Sequence, residues 1–249
     1  MSQDTVLERL EALDTNTVSD ALDFLGLPGA TFGLRPLWNC PKVVGRASTV
    51  QLAAKTDRAP TVHLITPVIE AIESEDRVLV IAGGIEGISC WGDILANAAV
   101  AKNVRGSIID GCSRDIDGSA EIGYPVYGRG VTMISARNRV VQVDAACPVQ
   151  MAGVAVNEGD YVIADNCGTV FIPQGHIDKT RFQGVSSTGD SGFPMLAFEF
   201  PPKPPDGKGF QPDLQQAFRT ETPLRTTHTA RHPAAYHETQ AQAWPSQAV

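Results

Sequence analysis

The chain has 249 residues, 43% hydrophobic and 19% charged, which is enough apolar material to bury a full core. A formal charge of −8 with scattered Lys and Arg excludes a nucleic-acid footprint, which needs clustered basic residues. The five cysteines, at positions 40, 90, 112, 147 and 167, include no Cys-x-x-Cys pair, so reduced thiols are expected rather than a disulfide framework or a zinc site.

The opening residues, MSQDTVLERLEALDTNTVSDALDFLG, are acidic and amphipathic, without the basic and apolar segments of a signal peptide. No stretch approaches the roughly 20 consecutive apolar residues of a membrane helix. The expectation is a soluble, cytoplasmic protein with no membrane or nucleic-acid partner. Residues 5–13 and 18–25 carry apolar side chains at helical spacing, and Gly26 supplies a stop signal. Residues 43–52, with Gly45 inside, predict a strand that runs on towards a loop at 56–59. Thr66-Pro67 then puts a cap and a proline at the first turn of a helix reaching about Ile72.

Residues 78–82, Val-Leu-Val-Ile-Ala, form a continuous apolar run suited to a buried strand. The glycine-rich turn at 83–87 follows. It lacks the ending and spacing of a phosphate loop, so it predicts a pocket wall, with Glu86 as a solvated loop carboxylate. Residues 92–102 predict a helix ended by Asn103, and 106–109 a second buried strand. This strand–helix–strand unit should cross over right-handed and leave its strands parallel. Further short strands are expected at 124–127, 139–143, 161–164 and 169–172. Turn chemistry at 156–161 and 164–169 separates them, the latter as a hairpin. From residue 184 the chain turns rich in Pro, Ser, Thr, Gln and His, and eight of its seventeen prolines lie after Phe200. The chain therefore reads as an α/β domain over 1–183, with a β-rich second half, followed by a largely irregular tail over 184–249.

In a parallel strand–helix–strand unit, the helix start and the loops leaving both strands share one sheet edge. That brings Asp93, Arg114 and Asp115 to the edge where open α/β sheets bind ligands. The amides of Gly92, Asp93, Ile94 and Leu95 belong to a helix N-terminus and favour an anion such as a substrate carboxylate. Arg114 can hold a carboxylate or an enolate through paired donors. Asp115 offers a hard oxygen ligand for Mg²⁺ or Mn²⁺, and Asp93 can hold a metal-bound water or move a proton.

The segment Gly92-Asp93-Ile94-Leu95, followed by Ile108-Ile109-Asp110-Gly111-Cys112-Ser113-Arg114-Asp115, resembles the class II pyruvate aldolases. These act on 4-hydroxy-4-methyl-2-oxoglutarate and 4-carboxy-4-hydroxy-2-oxoadipate, in a wider family that includes the regulator of ribonuclease activity A. The likeness runs from about Leu10, through Leu13-Asp14-Thr15 and Val18-Ser19-Asp20-Ala21-Leu22, to Val170-Phe171-Ile172-Pro173, about two thirds of the chain. It implies a layered α/β/β/α sandwich and a divalent cation held by Asp115. It also implies substrate bound by Arg114 and by the backbone of 92–95, and a trimer or hexamer with sites at subunit contacts. The chemistry implied is retro-aldol release of pyruvate, with oxaloacetate decarboxylation through the same enolate. Asp93 is the discriminating position, since the ribonuclease-regulator branch lacks this acid. The resemblance also implies an acidic residue from a neighbouring subunit's C-terminal region. Gly184-Val185-Ser186-Ser187-Thr188-Gly189 breaks the expected helix there and leaves Asp190 and Glu199 as candidates.

Blander readings stand beside these. Taken alone, an Asp after a glycine is a helix cap, and an Arg-Asp pair after a strand is a surface ion pair. Cys90 and Cys112 read as small buried or semi-buried thiols, His63 as a satisfied polar residue, and Trp38 and Trp91 as packing residues. Trp91, beside Gly92, could also line the pocket. His228, His232 and His237 have no ligand spacing. Three functions remain open: a metal-dependent aldolase or decarboxylase, a non-catalytic regulator on the same scaffold, and a related lyase or hydrolase for another 2-oxo or β-keto acid.

Overall fold

The structure is a computed structural model that describes residues 5–56 and 64–177. The tail expected over 184–249, and His63 with its loop, lie outside the described residues. Two helices come first, α1 (Thr5–Glu11) and α2 (Thr15–Leu25). The second begins earlier than its apolar spacing predicts because Asp14 caps it, accepting from the Thr17 amide at 2.7 Å. The Asp165 carboxylate adds bonds from the Thr15 amide and hydroxyl, at 2.9 and 2.7 Å. Gly26 ends the helix in the left-handed conformation, as expected.

The chain continues through β1 (Arg35–Pro36), β2 (Val43–Ala54), α3 (Thr66–Glu70), β3 (Arg77–Ala82) and β4 (Ser89–Trp91). Next come α4 (Asp93–Ala101), β5 (Ser107–Ser113), α5 (Ile116–Glu121), β6 (Val126–Val131) and β7 (Val140–Ala145). Strands β8 (Val149–Met151), β9 (Val154–Val156), β10 (Tyr161–Asp165) and β11 (Gly168–Ile172) complete it. Nine strands form one sheet with the path β1-β6-β5-β3-β2-β10-β11, to which β4 is added beside β5 and β7 beside β2. Strands β2, β3, β5 and β6 run parallel, and β4 is parallel to β5, as the crossover rule requires. The hairpin expected at 164–169 is the antiparallel pair β10–β11.

Strand β3 is apolar from Val78 to Ala82 because both its faces are covered there. Leu79 and Ile81 pack with Ile69, Leu95 and Ala99 of α3 and α4, whereas Val78 and Val80 pack with Val149, Met151, Val154 and Val156 of the separate β8–β9 pair. At the β10–β11 end, Leu10, Val18 and Leu22 of α1 and α2 meet Ile163, Val170 and Ile172. The α/β class therefore holds. Helices, the main sheet and a second small sheet succeed one another across the core.

Several elements differ from expectation. Strand β5 continues past Ile109 through Asp110 and Gly111, which look like turn residues. Asp110 is held by Arg129 of β6 at 2.5 Å and by the Ala152 amide at 2.7 Å, so tertiary partners keep this stretch extended. Helix α4 starts at Asp93, with Gly92 as its extended cap rather than its first residue. The strands expected at 124–127 and 139–143 are shifted to β6 and β7. β1, β4, β8, β9 and α5 are too short for periodicity to reveal them. Among the described residues no helix is long and apolar enough to cross a membrane.

Candidate active site

Strand β4 leads through Trp91 to Gly92 and Asp93, and β5 leads through Ser113 to Arg114 and Asp115. The two ends lie side by side because Trp91 pairs with Ser113 in the parallel ladder. The Arg114 amide also donates to the Trp91 carbonyl at 3.0 Å. Asp93, Arg114 and Asp115 thus meet on one edge, through neighbouring strands rather than through crossover loops alone.

Arg114 Nε donates to Asp115 Oδ2 at 2.8 Å, and the two side chains keep 41% and 32% exposure, so both remain open to a ligand. Asp93 accepts from the Ile94 amide at 2.8 Å through Oδ1, and its carbonyl accepts from Asn97 at 2.9 Å. Burial works to raise the Asp115 pKa, but the hydrogen bond and charge of Arg114 outweigh it, with a smaller lowering contribution from the neighbouring Asp93. The carboxyl lies below the usual carboxylate range and is ionised at neutral pH. Asp115 also holds a left-handed backbone, φ 54° and ψ 41°, which a non-glycine residue rarely adopts. At Gly92 a Cβ would sit 2.8 Å from Asp115 Oδ2 and 3.2 Å from Arg114 Cγ, so glycine alone leaves this approach open.

These groups border a cleft of about 350 Å³, lined by every residue predicted for the site: Gly92, Asp93, Ile94, Leu95, Arg114 and Asp115. The helix-start amides are not all open, however. The Ile94 amide is bonded to the Asp93 carboxylate, so one of them is already taken. Trp91 lines the cleft and also packs, stacking on Tyr124 at 5.9 Å between centroids. Cys90 lines it as a buried thiol whose pKa is pushed up to about 12, first by desolvation and then by Cys112 and Asp110. It is a neutral group at physiological pH. Glu86 is exposed and outside the lining, and Trp38 donates to the Tyr124 carbonyl at 3.2 Å, a packing role. A larger hollow of about 560 Å³ lies at Arg77 and Glu158, but those two groups satisfy each other at 2.9 Å.

The opposite wall is a loop that no sequence expectation included, where Ser135, Ala136, Arg137 and Asn138 line the cleft. The available signal was two arginines, Arg137 and Arg139, just after a strand of the parallel set and hence on the same sheet edge. Arg114, Arg137 and Arg139 share an adjoining hollow of about 580 Å³. Asp190, Glu199, His228, His232 and His237 lie outside the described residues.

A family model described as RraA-like: Aldolase/RraA matches residues 15–171. Protein DlpA of Legionella pneumophila subsp. pneumophila is 29% identical over 174 residues, covering 70% of this chain but only 28% of that longer protein. A Halalkalibacterium halodurans protein named "Putative 4-hydroxy-4-methyl-2-oxoglutarate aldolase" is 29% identical over 184 residues, 74% of this chain and 84% of the relative. The crystal structure of Streptomyces coelicolor RraAS2, described as an unusual member of the RNase ES inhibitor RraA protein family, superposes with a TM-score of 0.64 at 26% identity. That match covers 71% of this chain and 88% of the other.

Proposed function

The chain belongs to the RraA-like Aldolase/RraA family, and on that premise we propose that it is a divalent-metal-dependent carbon–carbon lyase. Its substrate would be a 4-hydroxy-2-oxo dicarboxylic or tricarboxylic acid, cleaved to pyruvate by retro-aldol reaction, with oxaloacetate decarboxylated through the same enolate. The observation that carries this reading is the meeting of Asp93, Arg114 and Asp115 around one cleft.

The donor set suits a hard cation. Mg²⁺ keeps several waters and is held by one or two carboxylates. Asp115, ionised and only partly covered, would be the ligand, with Asp93 beside it for a bound water. The space that a Gly92 Cβ would fill keeps Asp115 accessible. Among the described residues no group of three or more His, Cys, Asp or Glu could hold a metal, so the ion proposed here would rest on Asp115, with waters completing its shell. Bound there, the ion would supply Lewis acidity to the oxygens of a 2-oxo acid.

The terminal guanidinium nitrogens of Arg114, not used in its bond to Asp115, are donors for the substrate carboxylate and for charge growing on the C2 oxygen. Asp93 accepts the proton of the C4 hydroxyl. The C4 oxygen forms a carbonyl, the C3–C4 bond breaks, and its electron pair becomes the enolate of pyruvate. A proton returned to C3 completes pyruvate, while the other fragment departs as a second carbonyl compound. With oxaloacetate, CO₂ leaves instead and the same enolate remains. Leu64, Trp91 and Val140 line the cleft with apolar surface that limits water at the enolate.

A homotrimer or hexamer belongs to the proposal. Ile94, Val131 and Met133, at 72%, 60% and 91% exposure around the site edge, are the apolar surface such an assembly would cover. A cytoplasmic setting is supported by five free thiols. The description of RraAS2 favours the second reading, a non-catalytic regulator, and Asp93 in the cleft argues against it. A lyase or hydrolase for another 2-oxo or β-keto acid would use the same groups. Coupled assay of pyruvate release from 4-hydroxy-4-methyl-2-oxoglutarate and from oxaloacetate, with Mg²⁺ or Mn²⁺ and then with chelator, separates these. Metal-dependent pyruvate is expected; none from either compound overturns the proposal.

A further inference from the structure

The loop between β6 and β7 carries a cationic group that the reaction above does not use. Its backbone is braced from within. Arg139 donates to the carbonyls of Ser135 and Arg137 at 3.0 and 3.3 Å, and the Arg137 amide donates to Ser135 Oγ at 3.1 Å. Strand β2 and its continuation hold the other side, where the Lys55 amide donates to the Arg139 carbonyl at 2.8 Å and Lys55 Nζ to Asn138 Oδ1 at 3.3 Å.

Within this frame the Arg137 guanidinium has no hydrogen bond or ion pair among the described residues, yet Arg137 lines the cleft together with Asp93, Arg114 and Asp115. Arg77, Arg105 and Arg129, by contrast, are paired with Glu158, Glu11 and Asp110. A solvated surface cation is the ordinary role of an exposed arginine. Here the braced loop and the second guanidinium of Arg114 in the same adjoining hollow concentrate positive potential at one place. The cleft therefore offers a carboxylate pair suited to a metal with Arg114 bonded beside it, and a further guanidinium, Arg137, on the facing loop suited to a second anion. A ligand of matching chemistry has a 2-oxo acid at one end and a further carboxylate beyond the bond that breaks.

We propose that Arg137 binds the distal carboxylate of the substrate and makes this site select 4-hydroxy-2-oxo dicarboxylates over analogues ending in a neutral group. The catalytic half of this statement rests on the aldolase reading; the recognition half does not. The test uses the full chain with Mg²⁺ and two non-cleavable five-carbon ligands, 2-oxoglutarate and 2-oxopentanoate, which differ in the distal carboxylate. Calorimetry should show 2-oxoglutarate bound more tightly by about 10- to 100-fold, the range of a charge-assisted hydrogen bond pair. Arg137→Ala should remove most of that preference, leave 2-oxopentanoate within about twofold, and keep the melting temperature unchanged; Arg137→Lys should restore part of it. For 4-hydroxy-4-methyl-2-oxoglutarate the loss in Arg137→Ala should fall on KM rather than kcat.

Equal binding of both ligands by the wild-type chain, or equal loss of both in Arg137→Ala, overturns the assignment. Ligand preference without any pyruvate release would leave Arg137 as the anion anchor and remove the aldolase reading. Pyruvate release with an unchanged preference in Arg137→Ala would do the reverse.

Discussion

Replacing Gly92 with alanine tests whether the site depends on the close approach of Asp115. The backbone there is extended, at φ −170° and ψ −176°, so alanine adopts it without left-handed strain. Only weaker capping should affect stability, by on the order of 0.5 kcal/mol, or a fall of about 2 °C in melting temperature. The new Cβ, however, would meet Asp115 Oδ2 at 2.8 Å, whereas ordinary contact begins at 3.4 Å. The carboxylate must retreat by about 0.6 Å or surrender its 2.8 Å bond to Arg114 Nε. Misplacing a reacting group on that scale costs about 10- to 100-fold in rate, equivalent to about 1.4–2.7 kcal/mol of barrier. Pyruvate release coupled to lactate dehydrogenase reads kcat/KM for both chains. A Gly92→Ala protein that melts normally and turns over at near wild-type rate would show that the close approach of Asp115 to Gly92 is not needed for turnover.

Arg114→Ala and Asp115→Ala should each abolish turnover while circular dichroism stays native; near-normal rates in either would remove the site assignment. At Asp165, burial works against the charge, but hydrogen bonds from Thr15 and from the Cys167 and Gly168 amides outweigh it and lower its pKa. A depressed carboxylate stabilises the fold fully above its unfolded pKa and ceases to do so as pH falls through the folded value. Wild type should therefore lose stability below about pH 4, and Asp165→Ala should cost about 1–2 kcal/mol at pH 7 with a flatter acid limb; chemical denaturation across pH reads both. Iodoacetamide at pH 8 should label exposed Cys167 and spare Cys90, whose thiol is pushed up to about 12. Peptide mass spectrometry finding Cys90 labelled first would contradict that environment.

The parts of the site that were legible in the sequence depend on local signals. Val78 to Ala82 is an apolar run long enough to mark a doubly covered strand, and a parallel crossover then fixes which residues share an edge. Asp93, Arg114 and Asp115 followed from that. The missing parts depend on tertiary partners. β4 has three residues and exists through its pairing with β5. Strand β5 passes through Asp110 and Gly111 because Arg129 and the Ala152 amide hold Asp110. The wall bearing Arg137 is a loop braced by Arg139, with no periodicity to announce it. That Gly92 must lack a side chain also follows only from the position of Asp115 across the ladder.

The proposed chemistry turns on one species, the pyruvate enolate held between Arg114 and Asp115, and the leaving group is secondary to it. Proton exchange at the pyruvate methyl group in D₂O, followed by NMR with Mg²⁺ present, measures formation of that enolate without any assumption about the natural substrate. Loss of the methyl signal at a rate that depends on this protein is expected, and chelator, Arg114→Ala or Asp115→Ala should stop it. No exchange above the metal-only control would show that the cleft does not form the enolate and would end the lyase proposal.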